Sequence, residues 1–137
     1  MNKPLKIVLI LAAIYVAIVV IFESLLGYYQ PTNDGTLVIS TFEADGEKHD
    51  RVLARLVVDD TLYVAVNHWP RAWYWRVEDN PGVEITFEGA TTAYTAVPLD
   101  GDSAEYARVD GEHSLPTFFR ILTGFPPRRL LRLDPAA

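Results

Sequence analysis

An uninterrupted apolar stretch near the N-terminus sets the first limit on how this chain can fold. The run from Ile7 to Phe22 contains no charged side chain. With its flanks it forms an apolar helix of roughly 18–20 residues, which at about 1.5 Å per residue approaches the ~30 Å hydrocarbon core of a bilayer. A small domain cannot cover such a helix on every side. The stretch therefore predicts a transmembrane anchor that contacts the lipid bilayer through residues 5–26.

A cleaved signal peptide is the alternative interpretation of this stretch. Signal peptides have a shorter apolar core that is followed by small residues at a cleavage site. Residues 22–26 read Phe-Glu-Ser-Leu-Leu and lack a small-x-small pattern, which favours an uncleaved anchor. Lys3 and Lys6 precede the stretch and Glu23 follows it, so the positive-inside rule predicts a cytoplasmic N-terminus. We therefore expect a single-pass protein of the inner (cytoplasmic) membrane with a periplasmic or extracytoplasmic domain.

The rest of the chain has room for one small domain. Of the 137 residues, 1–30 form the predicted anchor and 31–36 a polar linker, which leaves 37–137 for the domain. All 18 acidic residues follow the apolar run, and the whole chain has a net charge of −6, whereas nucleic-acid binding needs a basic surface. The absence of cysteine excludes disulfides, thiolate metal sites and thiol catalysis. No histidine pair has metal-site spacing, so no metal is predicted.

Alternating and β-branched segments predict six strands in this domain. They are expected at residues 37–42, 51–58, 61–66, 82–88, 91–99 and 129–133. Short helices are expected at residues 72–79, from Asp102 onward, and at residues 115–122. In the fourth strand Val83 and Ile85 fall on one face and Glu84 on the other, which is typical of a half-buried antiparallel strand. The pattern predicts a mainly β, α+β domain, a six-stranded antiparallel barrel with short helices.

The segment Asn67–Pro81 concentrates planar and cationic side chains where a strand gives way to a short helix. It contains all three tryptophans, two arginines and one of the three histidines. Pro70 restricts the backbone, so Trp69 and Arg71 on either side of it are held in place. These groups are suited to grip a flat anionic ligand, with Trp69 stacked on its ring and Arg71 paired with a phosphate or an oxyanion. The alternative is that the segment caps one end of the barrel.

Residues 72–85 resemble a motif of the deazaflavin-dependent nitroreductase family. The family often has Trp-Tyr, two helical turns, Asn-Pro-x-Val and a strand, and here Trp73-Tyr74 precede Asn80-Pro81-Gly82-Val83. The preceding Tyr63–Asn67 is similar to the family's third strand, which ends against the cofactor ring. The resemblance implies a split β-barrel that binds a reduced 8-hydroxy-5-deazaflavin coenzyme or, in related proteins, FMN. It also implies hydride transfer to a quinone or a nitroaromatic acceptor.

The loop between the first two predicted strands departs from this family. In the family a basic, glycine-containing loop holds the cofactor phosphates. Residues 44–51 keep Gly46, Lys48 and Arg51 but lack the Gly-Arg-Lys-Ser-Gly run, and they contain three carboxylates. Carboxylates beside a phosphate are unfavourable by about 1 kcal/mol each unless they are paired or screened. The alternative function is therefore a barrel without a cofactor that serves as an accessory or structural subunit of a membrane protein complex.

The resemblance and the residue types together predict one cofactor site. Arg51 and Arg55 are four residues apart on a predicted strand, so we expect them to share a face, and guanidinium forks match phosphate geometry. Trp73 and Tyr74 either join this site or pack their helix onto the barrel. The candidate cofactor-binding residues are Lys48, His49, Arg51, Arg55, Asn67, His68, Trp69, Arg71, Trp73 and Tyr74.

The proline-stiffened turn Thr123–Arg128 is a candidate for the rim of the same pocket. Phe125 supplies an aromatic ring and Arg128 a cation, although a proline-stiffened loop without a ligand is the slightly favoured alternative. If the chemistry is hydride transfer, the cofactor performs it while the protein supplies position and electrostatics. The sequence therefore assigns no catalytic acid or base.

Overall fold

The computed structural model describes residues 1–30 and 33–136, in which it has four helices and seven strands. The helices are α1 (Lys3–Tyr28), α2 (Ala72–Asp79), α3 (Ala104–Glu112) and α4 (Thr117–Thr123). The strands are β1 (Thr36–Phe42), β2 (Lys48–Ala54), β3 (Leu56–Val58), β4 (Thr61–Val66), β5 (Gly82–Phe87), β6 (Ala90–Pro98) and β7 (Arg129–Pro135). One long helix thus precedes a mainly β domain with three short helices.

The strands form one antiparallel sheet in the order β2-β1-β5-β6-β7-β4-β3. The last strand, β7, pairs with β6 on one side and β4 on the other, so it joins the two halves of the chain. In β5 the side chains of Val83 and Ile85 are buried while Glu84 is partly exposed, as the alternating sequence predicts. The predicted α+β class with an antiparallel barrel sheet is therefore confirmed.

The strand count differs from the six predicted because the segment 51–58 is divided. Strand β2 already begins at Lys48 and ends at Ala54, and Arg55 separates it from β3. The Arg55 guanidinium lies 4.3 Å from the centre of the Phe87 ring. The expectation that Arg51 and Arg55 share one strand face is therefore wrong, since the interruption turns the second arginine away.

The core lies on both faces of β4. Val64 and Val66 pack into a cluster that includes Trp73 of α2, whereas Tyr63 and Ala65 pack into a second cluster beneath α3. All four of these β4 residues are at most 7% exposed. Burial on both faces explains why this strand is a continuous apolar run in the sequence instead of an alternating one.

Helix α1 is long and apolar enough to cross a membrane. Its 26 residues include an 18-residue window of mean hydropathy 3.0 in which no residue is buried. The helix begins at an N-cap, Asn2, whose side chain accepts a hydrogen bond of 3.1 Å from the backbone N–H of Leu5. Its C-terminal half contacts the domain, where the rings of Phe22 and Phe119 pack edge to face with centroids 5.7 Å apart.

Candidate functional site

Two arginines of the domain bind the C-terminal end of α1. The Arg51 guanidinium donates to the backbone carbonyls of Leu26 at 2.9 Å and Gly27 at 3.3 Å. Arg71 donates to the Glu23 carboxylate at 2.9 Å and also to the Glu23 backbone carbonyl. The last carbonyls of a helix have no partner within it and carry partial negative charge. These two predicted phosphate-binding cations are thus engaged by acceptors of α1.

Gly27 makes this approach possible. A Cβ at this position would lie 2.6 Å from Nη1 of Arg71, closer than side chains approach one another. The glycine near the end of α1 therefore leaves the space that the Arg71 guanidinium occupies.

A cavity of about 260 Å³ lies beside these contacts, between the end of α1, β2, the end of β4 and α4. Three of the predicted cofactor-binding residues, Arg51, Asn67 and His68, line it. Tyr29 and Phe119 supply aromatic walls that the sequence did not indicate. Cavities that bind small molecules usually measure about 300–1,000 Å³, so this one has space for a ring system but not for a whole nucleotide-like cofactor.

The His68 ring lines this cavity and donates a hydrogen bond to the backbone. Its ring Nδ1 lies 2.8 Å from the backbone carbonyl of Trp69, and since a carbonyl only accepts, Nδ1 bears the proton. The side chain is buried, and this burial is the main cause that lowers the pKa of His68, with a smaller contribution from Arg71. In the neutral ring Nε2 is therefore left with a free lone pair.

Arg51 has an unused donor in the same wall. Its Nε is buried and has no hydrogen-bond partner within residues 1–30 and 33–136, although both Nη atoms are engaged. Burial, and after it the positive charge of Arg71, lowers the pKa of the Arg51 guanidinium. A buried donor without a partner is costly, and this atom is enclosed by protein instead of being open to the cavity.

The tryptophans of the aromatic segment take two different positions. Trp69 is 46% exposed, and its ring Nε1 donates to the carbonyl of Thr123 at 2.8 Å. Trp73 and Tyr74 are 3% and 4% exposed and belong to the core, where the Tyr74 hydroxyl donates to Glu78 at 2.6 Å. Of the three aromatic residues predicted for the cofactor site, Trp69 is partly open, whereas Trp73 and Tyr74 are core residues.

The remaining cations of the predicted site lie apart from the cavity. The Lys48 ammonium lies 4.0 Å from both Asp50 and Glu84, and Arg55 contacts Phe87 as described above. Nε2 of His49 lies 3.2 Å from Glu43 and 3.6 Å from Glu47, but the geometry with Glu43 is not that of a hydrogen bond.

The hairpin between β1 and β2 brings that histidine and its two carboxylates together. Their ligand atoms lie within 4.8 Å of one another, although the sequence spacing indicated no metal site. The two glutamates are exposed and the histidine is half-buried. The two carboxylates lie at ion-pair distance from the imidazole, and Nε2 of His49 is buried without a hydrogen-bond partner among the described residues.

The two rim candidates border a second cavity of about 240 Å³. Arg128 is held there, because its Nε donates to the side-chain oxygen of Asn67 at 2.8 Å and its Nη1 lies 2.7 Å from Asp110. Phe125 is 57% exposed beside it. Asn67 also lines the first cavity, so Arg128 fixes the amide that stands between the two cavities.

Glu23 and the residues after α1 were not expected in this region. Glu23 is 9% exposed despite its charge. The side-chain oxygen of Gln30 accepts a hydrogen bond from the backbone N–H of Val52 at 3.0 Å. The only signal for Glu23 is that it is the first acidic residue after sixteen uncharged ones. That pattern marks the end of a membrane span and contains no information about a partner 48 residues away.

No protein-family model matches this sequence, and no curated protein matches it. Solved structures do resemble its fold. A heme storage protein of Vibrio cholerae, HutZ, superimposes with a TM-score of 0.58 at 20% identity, over 85% of this chain and 86% of that protein. An F420-H2-dependent reductase, FDR-A, gives 0.58 at 18% identity, over 77% and 99%. An FMN-binding protein of Nostoc punctiforme related to pyridoxamine 5'-phosphate oxidase gives 0.56 at 18% identity, over 88% and 78%. At these identities the likeness establishes a shared split-barrel fold.

Proposed function

We propose that this chain is a membrane-anchored, flavin- or deazaflavin-type oxidoreductase-like protein whose cavity beside Arg51, Asn67 and His68 holds the ring end of the cofactor. The observation that carries the proposal is one cavity whose lining combines a cation, an amide and a histidine, namely Arg51, Asn67 and His68. A ring with both carbonyl oxygens and an N–H or hydroxyl offers hydrogen-bond partners to side chains of these types. The named functions of two proteins with this fold, an F420-H2-dependent reductase and an FMN-binding protein, support this choice.

The residues fit the ring of such a cofactor better than its phosphates. The cavity has the size of a ring system, and its walls combine apolar surface with polar groups. Both Nη atoms of Arg51 and Nη2 of Arg71, which would suit phosphate, are bound to acceptors of α1 instead. We therefore place the phosphates outside the cavity. When bound, a reduced deazaflavin or FMN supplies a hydride, and the chain's own residues orient the ring and exclude water.

We further propose that the acceptor is lipid-soluble, a quinone or a nitroaromatic. Residues 5–26 would lie in the bilayer, with the N-terminus in the cytoplasm and the domain outside. The cavity is lined by Leu26 and Tyr29 at the end of α1, so an anchored chain would hold it at the membrane surface. A substrate dissolved in the bilayer would then be concentrated next to the cofactor ring. A reporter fused to the C-terminus checks the side of the membrane.

Cofactor titration of the full chain in mild detergent tests the proposal. FMN and reduced deazaflavin are added separately, and binding is followed by absorbance and fluorescence. We expect one of them to bind, and Arg51→Gln to weaken that binding about tenfold or more because a charged hydrogen-bond donor is lost. The matched control is Arg55→Gln, since Arg55 is an exposed arginine on Phe87. Failure of the unaltered chain to bind either compound would contradict the proposal.

A cofactor-free accessory subunit of a membrane complex is the second candidate. The specific observation in its favour is that α1 already binds both Nη atoms of Arg51 and Nη2 of Arg71. The carboxylates of the β1–β2 loop also favour this candidate, because they are unfavourable beside a cofactor phosphate. This candidate predicts that a stoichiometric partner co-purifies from native membranes in mild detergent, and that Arg51→Gln leaves cellular function unchanged when the chain still folds.

A further inference from the structure

Helix α4 lies beside residues 15–22 of α1. The Tyr15 hydroxyl donates to the backbone carbonyl of Ile121 at 2.8 Å, and the rings of Phe22 and Phe119 are in contact. Tyr15 precedes Glu23 by eight residues, which is about 12 Å along a helix axis. Half of a bilayer's hydrocarbon core measures about 15 Å. If the apolar run of α1 spans a membrane, the C-terminal end of α4 is therefore level with the hydrocarbon of one leaflet.

The α4 segment, defined here as residues 115–127, presents large apolar side chains outward. Phe118 is 71% exposed, Ile121 41% and Phe125 57%. These side chains continue the exposed apolar surface of α1, with which α4 is packed. A continuous exposed apolar surface of this kind marks an interaction site with a membrane or a protein.

The charge of this segment matches a bilayer surface. Residues 114–127 contain no acidic side chain and one basic side chain, Arg120, although the chain as a whole has 18 acidic and 12 basic residues. A long arginine side chain can keep its stem in apolar surroundings while its guanidinium reaches the phosphate level.

Carbonyls at the C-terminal end of α4 have hydrogen-bond partners within the protein. At the C-terminal end of a helix the last carbonyls need partners. Here the carbonyl of Ile121 accepts from the Tyr15 hydroxyl, and that of Thr123 accepts from the Trp69 ring N–H at 2.8 Å. The carbonyl of Arg120 accepts from the backbone N–H of Phe125 at 2.9 Å. Two of these three donors come from distant side chains, an arrangement that a helix end in water does not require but one in lipid does.

We infer that the α4 segment enters the same bilayer leaflet as the C-terminal half of α1. The domain then contacts the membrane directly, in addition to its attachment through α1. The occupant of the apolar surface is lipid. This inference rests on the proposed anchoring of α1. It adds a second membrane contact, through Phe118, Ile121 and Phe125, that fixes the orientation of the cavity relative to the bilayer.

Site-directed spin labelling tests the inference, because the chain has no cysteine and each introduced one is unique. The full chain is reconstituted in phosphatidylcholine vesicles with a minority of phosphatidylglycerol. The labelled variants are Phe118→Cys and Phe125→Cys, both at exposed positions where the change leaves the core intact. Ile14→Cys reports on α1 itself, and Val57→Cys, at an exposed apolar position of β3, is the matched control. Accessibility of each label to oxygen and to a water-soluble nickel chelate is measured.

The inference predicts that the labels at residues 118 and 125 resemble the label at residue 14. Their ratio of oxygen to nickel accessibility should exceed that at residue 57 several-fold. Labels at 118 and 125 that are open to nickel, with the label at 14 in lipid, would overturn the inference and leave the anchor intact. Labels at 118 and 125 shielded from both reagents would also overturn it, in favour of a protein partner. A label at 14 that is open to nickel would overturn the anchoring and the inference together.

Discussion

Arg71 and Glu23 form an ion pair at the junction between α1 and the domain. Nη2 of Arg71 lies 2.9 Å from Oε2 of Glu23, and the two side chains are 29% and 11% exposed. Arg51 binds the same helix end through two backbone carbonyls. The end of α1 is therefore a bound element of the domain and not a free tether. Any ligand of the neighbouring cavity contacts a surface that this helix helps to build.

Removal of the Glu23 carboxylate should destabilise the domain. In Glu23→Gln, the partly buried Arg71 loses its charged partner beside the cation of Arg51, so we expect the free energy of unfolding to fall by about 1–3 kcal/mol. Glu84→Gln is the matched control, because Glu84 pairs with Lys48 at 4.0 Å on the surface and should cost less than about 0.5 kcal/mol. Chemical unfolding in detergent measures both. Equal effects of the two variants would contradict the role given to Glu23.

Two glycines within helices should respond oppositely to alanine. A Cβ at Gly111 of α3 would point into open space, so Gly111→Ala should stabilise the chain by about 0.5–1 kcal/mol through helix propensity. Gly27→Ala gains the same propensity, but its Cβ would lie 2.6 Å from Nη1 of Arg71, so the end of that side chain must shift. We expect it to be less stable than Gly111→Ala by up to about 1 kcal/mol, as measured by unfolding. Stabilisation of equal size by both substitutions would show that Arg71 is free to move.

The stability of the domain should depend on pH through His68. Burial lowers the folded-state pKa of His68, so the unfolded state binds the proton more readily. The stabilising contribution of the neutral ring is complete above the unfolded pKa of about 6.5 and is lost as the pH falls from there toward the lowered folded pKa. Thermal unfolding at several pH values measures this loss.

His68→Gln should flatten that part of the pH profile, because the titrating group is gone. The matched control is His113→Gln, since His113 lies near the surface with Nε2 at 3.2 Å from the Val57 carbonyl. A profile that keeps its slope in His68→Gln would assign the pH dependence to another group.

The hydrogen bond between Tyr15 and Ile121 should contribute to the docking of α4. Tyr15→Phe removes one donor to the Ile121 carbonyl, and we expect a loss of about 0.5–1.5 kcal/mol in detergent. Tyr28→Phe, at a position 79% exposed, should change little. Hydrogen exchange of the α4 amides measures the effect locally. Unchanged protection in Tyr15→Phe would mean that packing alone holds the two helices together.

The elements that the sequence predicted are those with a local signal. The alternation of Val83 and Ile85 with Glu84, the Asn-Pro stop after α2 and the uncharged run of α1 each depend on neighbours within a few residues. The division of the predicted strand at Arg55 was missed because Arg55 is an ordinary strand residue by propensity. Its position depends on a tertiary contact with the Phe87 ring.

The site was predicted less completely because its contacts are distant in sequence. Trp73 and Tyr74 lie next to each other on a short helix, and the sequence offers no means to decide whether such rings face a ligand or the core. Arg51 and Arg71 bind residues 24 to 48 positions away, at the end of a helix that sequence analysis assigns to the membrane. A cation expected to hold phosphate and one that caps a helix have the same sequence signature, since both seek oxygen acceptors.

An absorption spectrum of the full chain, purified from its native membranes in mild detergent, tests the central claim most directly. The cavity lined by Arg51, Asn67 and His68 predicts a band between the near-ultraviolet and blue light from a bound flavin or deazaflavin, either as purified or after the cofactor is added. Arg51→Gln should reduce this band, and Arg55→Gln should leave it unchanged. A spectrum with only the protein's own aromatic absorption, which stays the same after both cofactors are added, would contradict the account.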